Sequence, residues 1–187
     1  MKLTDTREIA APPSQVWAAI LNPEVLMACV PGCESMTGSP EAGFEAVVVQ
    51  KVGPVKARFT GVVTLSDMEP EQGLKITGEG KGGPAGFAKG GAVVRMEPSE
   101  TGTLLTYDVE ANVGGKLAQL GSRIIDGFAK KMADEFFDRF KQAIEGPAIE
   151  DDAAEAADSG TGEKKKGWFK RIIGATGTQT QEKTKGG

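Results

Sequence analysis

The stretch KLAQLGSRIIDGFAKKMADEFFDRFKQAIEG, residues 116–146, decides the fold. Leu117, Leu120, Ile124, Phe128, Met132, Phe136, Phe140 and Ile144 recur every three or four residues, the spacing of one apolar helix face. Gly114–Gly115 opens the segment and Gly146–Pro147 reads as its stop, so the sequence predicts one amphipathic helix of about 30 residues. A helix that long with a single apolar face needs a surface to bury it, and the residues before it supply one.

Between residues 43 and 113 the pattern changes to strands. FEAVVVQK, VKARFTGVVTLSD, LKITGEGK, GFAKGGAVVRMEP and TLLTYDVEANV are divided by turn-forming segments such as EPEQG and EPSETG. In the last of them Leu105, Tyr107, Val109, Ala111 and Val113 share one face, while Thr106, Asp108, Glu110 and Asn112 share the other. Consecutive strands with one wet face imply an antiparallel meander. Residues 2–9 alternate like a further strand. PPSQVWAAIL and PEVLMACV read as two short helices, started at Pro12–Pro13–Ser14, separated at Asn22–Pro23 and stopped at Pro31–Gly32. The order predicts an α+β fold, a curved antiparallel sheet gripping a long C-terminal helix.

Charged residues mark the outer face of each strand, which leaves a partly bulky and partly Gly/Ala inner face. Phe44, Ala46, Val48 and Gln50 point inward, as do Ala57, Phe59, Gly61, Val63 and Leu65. Leu74, Ile76, Gly78 and Gly80 follow, then Ala88, Gly90, Ala92, Val94 and Met96. Residues this small do not fill the ~10 Å between a sheet and whatever packs on it. Two readings stand: the glycines permit strong curvature, or they leave an apolar cavity suited to a lipid or quinone.

The composition narrows the chemistry. The 187 residues hold 26 acidic and 22 basic side chains, for a net charge of −4, with two cysteines and no histidine. Without histidine, the commonest general base and transition-metal ligand is missing, and Cys29 and Cys33 supply only half a zinc site. No catalytic residue and no metal ligand is assigned. The cysteines are open to two readings, a regulatory disulfide or a pair of reduced thiols, and a cytosolic compartment favours the thiols. The start, MKLTDTREIAAPPSQ, has no apolar core of a secretory signal, and no run of about 18 apolar residues occurs, so cytosolic synthesis is expected. GEGKGGPAGFAKGG lacks the G-K-[ST] of a phosphate loop and lies between two strands, which argues against a nucleotide site.

The organisation expected is a folded domain over 1–146, a disordered acidic linker over 147–163, a basic amphipathic segment over 164–174 and a disordered tail over 175–187. In KKKGWFKRIIG, 100° steps from Trp168 put Ile172 at about 40°, Phe169 at about 100° and Ile173 at about 140°. Lys170 and Arg171 fall outside that arc, and Lys164, Lys165 and Lys166 precede it. The pattern fits reversible, salt-sensitive attachment to an anionic membrane surface. Docking on a partner and simple solvation compete with that reading. Nucleic acid does not fit, because the acidic body and linker repel phosphates.

VPGCESM, VGPVKARFTGVVTL, GEGKGGPAGFAKG and VGGKLAQLGSRIIDGFAKKMADEFF resemble the CoxG family, named for a G subunit of carbon monoxide dehydrogenase. The likeness covers roughly residues 1 to 146 and lies within the helix-grip, START/Bet v 1-like (SRPBCC) proteins. It implies a non-enzymatic accessory protein that recruits a CO dehydrogenase-type molybdenum hydroxylase to the inner face of the cytoplasmic membrane. It also implies a quinone bound non-covalently in the grip cavity, linking oxidation to the respiratory chain. Phe59, Val63, Phe87, Tyr107, Phe128 and Met132 are the expected cavity residues, Phe87 only if its strand is bulged. Two other functions compete: a maturation factor for the molybdenum enzyme, and a helix-grip cyclase or hydrolase. The latter would need more inward polar groups than Gln50 and Tyr107.

Overall fold

A computed structural model describes residues 1–156 of the chain, with side chains described as far as Glu145. Strand β1 (Lys2–Ile9) leads into α1 (Pro13–Ile20) and α2 (Pro23–Cys29), then β2 (Cys33–Ser39), β3 (Gly43–Val52) and β4 (Val55–Glu69). β5 (Gly73–Lys81), β6 (Phe87–Pro98), β7 (Thr103–Gly114) and α3 (Ser122–Ala156) complete it. Each helix start has a local cause. Pro13 takes the first turn of α1, where its missing N–H costs nothing. Asn22 caps α2, its side-chain oxygen accepting from the Glu24 N–H at 2.9 Å.

The strands form one antiparallel sheet in the order β1-β7-β6-β5-β4-β3-β2, so the meander β2 to β7 is closed on its last strand by the first. Hairpin register keeps the expected faces: Phe44 pairs Val63, Leu65 pairs Ile76, and Val94 pairs Tyr107. β2 goes beyond the strands foreseen from the sequence. CESMTGS has no apolar alternation because it is an edge strand, paired only with β3 and irregular between Cys33 and Ser35.

The helix departs from expectation at both ends. Leu117 and Leu120 belong to a separate turn closed by Gly121, whose φ of 86° breaks the helix before it starts at Ser122. Leu117 is buried nonetheless. At the other end, the stop foreseen at Gly146–Pro147 is not observed, and the backbone stays helical to Ala156. Proline forfeits one backbone bond, but an existing helix needs no new nucleus, and Ala153, Ala154 and Ala156 are strong helix formers. The first part of the expected disordered linker, 147–156, is therefore helix. Residues 157–163, the basic segment 164–174 and the tail 175–187 lie outside the described residues.

The core lies between the concave sheet face and α3. Ile9, Val16, Leu105 and Phe140 are all at most 1% exposed. Burying each such side chain contributes ~1.5–3 kcal/mol. Among the described residues, Thr103 is the one polar residue buried in the core, and its hydroxyl donates to the Ala11 carbonyl at 2.7 Å. Tyr107, Phe136, Phe137 and Phe140 form an aromatic ladder, with Tyr107 stacked on Phe137 at 5.1 Å.

Candidate functional site

The inward glycines divide by what surrounds them. A Cβ on Gly90 would lie 2.2 Å from the Glu110 carbonyl oxygen, so this glycine allows close strand approach and curvature. A Cβ on Gly80 would meet nothing within 4 Å. Both readings of the small residues are thus realised, at different positions.

Gly80 and Ala88 open an apolar chamber of about 390 Å³ near the β3–β4 hairpin. Val52, Phe59, Ile125 and Phe128 line it, and among the described residues Gln50 is its sole uncharged polar liner. A second chamber of about 340 Å³ lies beneath α2, walled by Leu26, Phe44, Val63, Leu65, Tyr107 and Phe136. Val109 and Met132 line both, so they form the partition. Such volumes and linings suit an apolar small molecule. Methionine, unbranched and flexible, is the partition residue best able to move.

Of the expected site residues, Phe59 and Phe128 line the hairpin-side chamber, Val63 and Tyr107 the α2-side chamber, and Met132 both. Phe87 lines neither. β6 pairs without a bulge, and the ring stands on the outer face over Gly114, 42% exposed. Strand parity decides its position.

The polar groups near the chambers are held within the protein. Gln50 donates to the Pro31 carbonyl at 2.5 Å. Arg7, on the inner parity of β1, bonds Asp134 of α3 at 2.5 Å and Asp5 at 2.8 Å. Its guanidinium also donates to the Tyr107 hydroxyl at 3.4 Å and lies 5.4 Å from the Phe137 ring centroid. Burial pulls the Arg7 pKa down, but the Asp134 bond, with Tyr107 and Asp5, outweighs it and sets the pKa above its ordinary value. The Asp134 carboxyl is held below its usual range, by Arg7 first and then Lys130. Treating charges as outward markers overlooks Asp5, Arg7 and Asp134 as inward groups, and none of them lines a chamber. Cys29 and Cys33 are both free thiols.

Compared with known families, residues 6–145 match the carbon monoxide dehydrogenase G subunit (CoxG). The chain belongs to the CoxG family. CoxG proteins are accessory rather than catalytic, and associated with CO dehydrogenase. Among solved structures, a conserved protein from Geobacillus kaustophilus is similar, with 29% identity and a TM-score of 0.72 over 77% of this chain and 95% of that one. MLL2253 from Mesorhizobium loti shares 19% identity at a TM-score of 0.59, covering 79% and 98%. Ara h 8.0201 shares 10% at 0.54, covering 77% and 97%. The last two show the fold alone, which is the Bet v 1-like helix grip. A search of curated proteins found no match.

Proposed function

We propose that this CoxG-family chain is a non-catalytic carrier that holds a quinone or lipid between sheet and helix and recruits a CO dehydrogenase-type molybdenum hydroxylase to the cytoplasmic membrane. A quinone held there would link the enzyme to the respiratory chain. The observation that carries this reading is the pair of apolar chambers meeting at Val109 and Met132.

The residues present fit a quinone. The walls are aliphatic and aromatic, which suits an isoprenoid chain and a ring. Tyr107 is 4% exposed, and its hydroxyl accepts from Arg7. Among the described hydrogen bonds its own proton has no acceptor, and a ligand carbonyl that reached it would supply one. Arg7 would hold the hydroxyl in place, and the walls would exclude water.

Segment 164–174 would supply reversible attachment, through Trp168, Phe169, Ile172 and Ile173 with the flanking Lys164, Lys165, Lys166, Lys170 and Arg171. The protein would then act on the inner face of the membrane. Native mass spectrometry after exposure to quinone-containing vesicles tests the carrier role, with a co-purifying isoprenoid expected. Sedimentation with anionic liposomes tests the segment; its deletion should abolish binding, and unchanged binding would refute its role.

A further inference from the structure

The connections at the two ends of the sheet carry opposite charge. An antiparallel meander sends alternate turns to opposite ends. The β3–β4 hairpin carries Lys51 and Lys56, the β5–β6 connection starts at Lys81, Lys116 lies between β7 and α3, and Arg123 opens α3. These cations are all exposed, and no acidic residue lies in those connections. At the other end, the β4–β5 turn carries Asp67, Glu69 and Glu71, and the β6–β7 turn Glu97 and Glu100. Glu41 lies between β2 and β3, and Glu8 ends β1. The domain is a charge dipole despite its net negative charge.

Apolar groups accompany the cations at the basic end. Phe87 is 42% and Ile124 40% exposed, and Pro54 and Pro84 stand exposed at the connection tips. Among the described residues, the other large exposed apolar side chains are scattered, Met27 on α2, Val62 in mid-sheet and Met68 at the acidic end. The basic end also closes the hairpin-side chamber. A Cβ on Gly53, in the β3–β4 turn, would lie 3.5 Å from Ile124 Cγ2 and 4.0 Å from Leu120, and Val52, Leu117 and Ile125 pack just beneath.

We infer that this basic end of the folded domain is a docking surface for an anionic bilayer, seated so that the hairpin-side chamber faces the lipid. Its cations match the phosphates of an anionic leaflet, and Phe87 and Ile124 match the apolar boundary beneath them. An apolar ligand then passes between bilayer and chamber without crossing water. The inference rests on the carrier reading above for the ligand, but owes nothing to segment 164–174.

The test compares full-length variants binding to phosphatidylcholine vesicles with and without phosphatidylglycerol. Lys51→Glu/Lys56→Glu/Lys116→Glu reverses the basic end. Lys75→Glu/Lys130→Glu/Lys131→Glu makes the same change of net charge elsewhere, and Lys164→Glu/Lys165→Glu/Lys166→Glu reverses the tail. Losing each cation lowers affinity about five-fold, so the basic-end triple variant should bind anionic vesicles about 100-fold more weakly. The elsewhere-reversed variant should bind more tightly than that by at least about tenfold. All the substituted lysines of these first two variants are exposed, and circular dichroism should confirm that the fold is unchanged. Vesicle binding by the basic-end variant equal to that of the unaltered chain overturns the inference, including when it instead loses binding to the molybdenum enzyme. Failure of quinone to co-purify, with vesicle binding still lost on basic-end reversal, would sink the carrier reading and leave the docking surface standing.

Discussion

Arg7 on β1 and Asp134 on α3 meet at 2.5 Å, tying the first strand of the sheet to the helix it grips. Asp5 approaches the same guanidinium at 2.8 Å, and Arg7 also reaches the Tyr107 hydroxyl. The contact joins positions 127 residues apart, and Arg7 also holds the hydroxyl of Tyr107, whose ring lines the α2-side chamber.

Removing Arg7 should therefore weaken both the fold and the site. The guanidinium side chain is 18% exposed and its carboxylate partners about 40%, so the pair lies between the surface and buried regimes. Arg7→Ala should cost about 2 kcal/mol in chemical denaturation, and Asp134→Asn should cost less, because its carboxylate is more exposed than the guanidinium. A double-mutant cycle should show coupling between the two; strict additivity would mean that the ion pair contributes nothing.

The same pair predicts an acid-side loss of stability. Arg7, then Lys130, hold the Asp134 carboxyl below its ordinary value, as Thr4 and Arg95 do Asp108 and Lys2 does Glu110. Groups with lowered folded pKa values contribute fully above their unfolded values, near 4, and lose that contribution as pH falls through the folded ones. Denaturant midpoints measured from pH 6 down to about pH 2 should fall below about pH 4, with a shallower fall in Asp134→Asn.

The charged-residue rule explains what was legible in the sequence and what was not. Reading charges as outward found the correct parity for β3 through β7, because lysines, arginines and glutamates there do face water. It failed on β1, where Asp5 and Arg7 turn inward and neutralise each other against Asp134. No local rule reaches a partner on the final helix. It also could not say which small inward residues make space: Gly80 and Gly90 look alike in the sequence, yet one faces a void and the other a carbonyl. Five of the six expected cavity positions line a chamber, and Phe87 fails for the reason its parity gave, since no bulge rescues it.

The two cysteines should behave differently toward a thiol reagent. Cys29 is 1% exposed and Cys33 half-buried. Burial raises the pKa of both, partly offset by Arg139 for Cys29 and by a bond to the Ser35 backbone for Cys33. Ellman's reagent at pH 8 should label Cys33 slowly and Cys29 only after unfolding. Fast reaction of both in the native protein would contradict this burial.

Phe140, fully buried in the aromatic ladder, sets the scale for core damage. Phe140→Ala should cost ~3–5 kcal/mol, whereas Phe87→Ala should cost under ~1 kcal/mol and leave retention of an already bound ligand unchanged, since Phe87 lines neither chamber. Thermal denaturation and a ligand-retention assay on both variants check the contrast.

The central claim, that the space beside Gly80 holds an apolar ligand, is tested most directly by Gly80→Val. Valine suits a strand better than glycine, and its Cβ would meet nothing within 4 Å, so it should fold with equal or greater stability. It should also fill part of the hairpin-side chamber. After incubation with vesicles containing a long-chain quinone, native mass spectrometry should find quinone on the unaltered chain and about tenfold less on Gly80→Val. Equal quinone on both proteins, or none on either, would contradict the account.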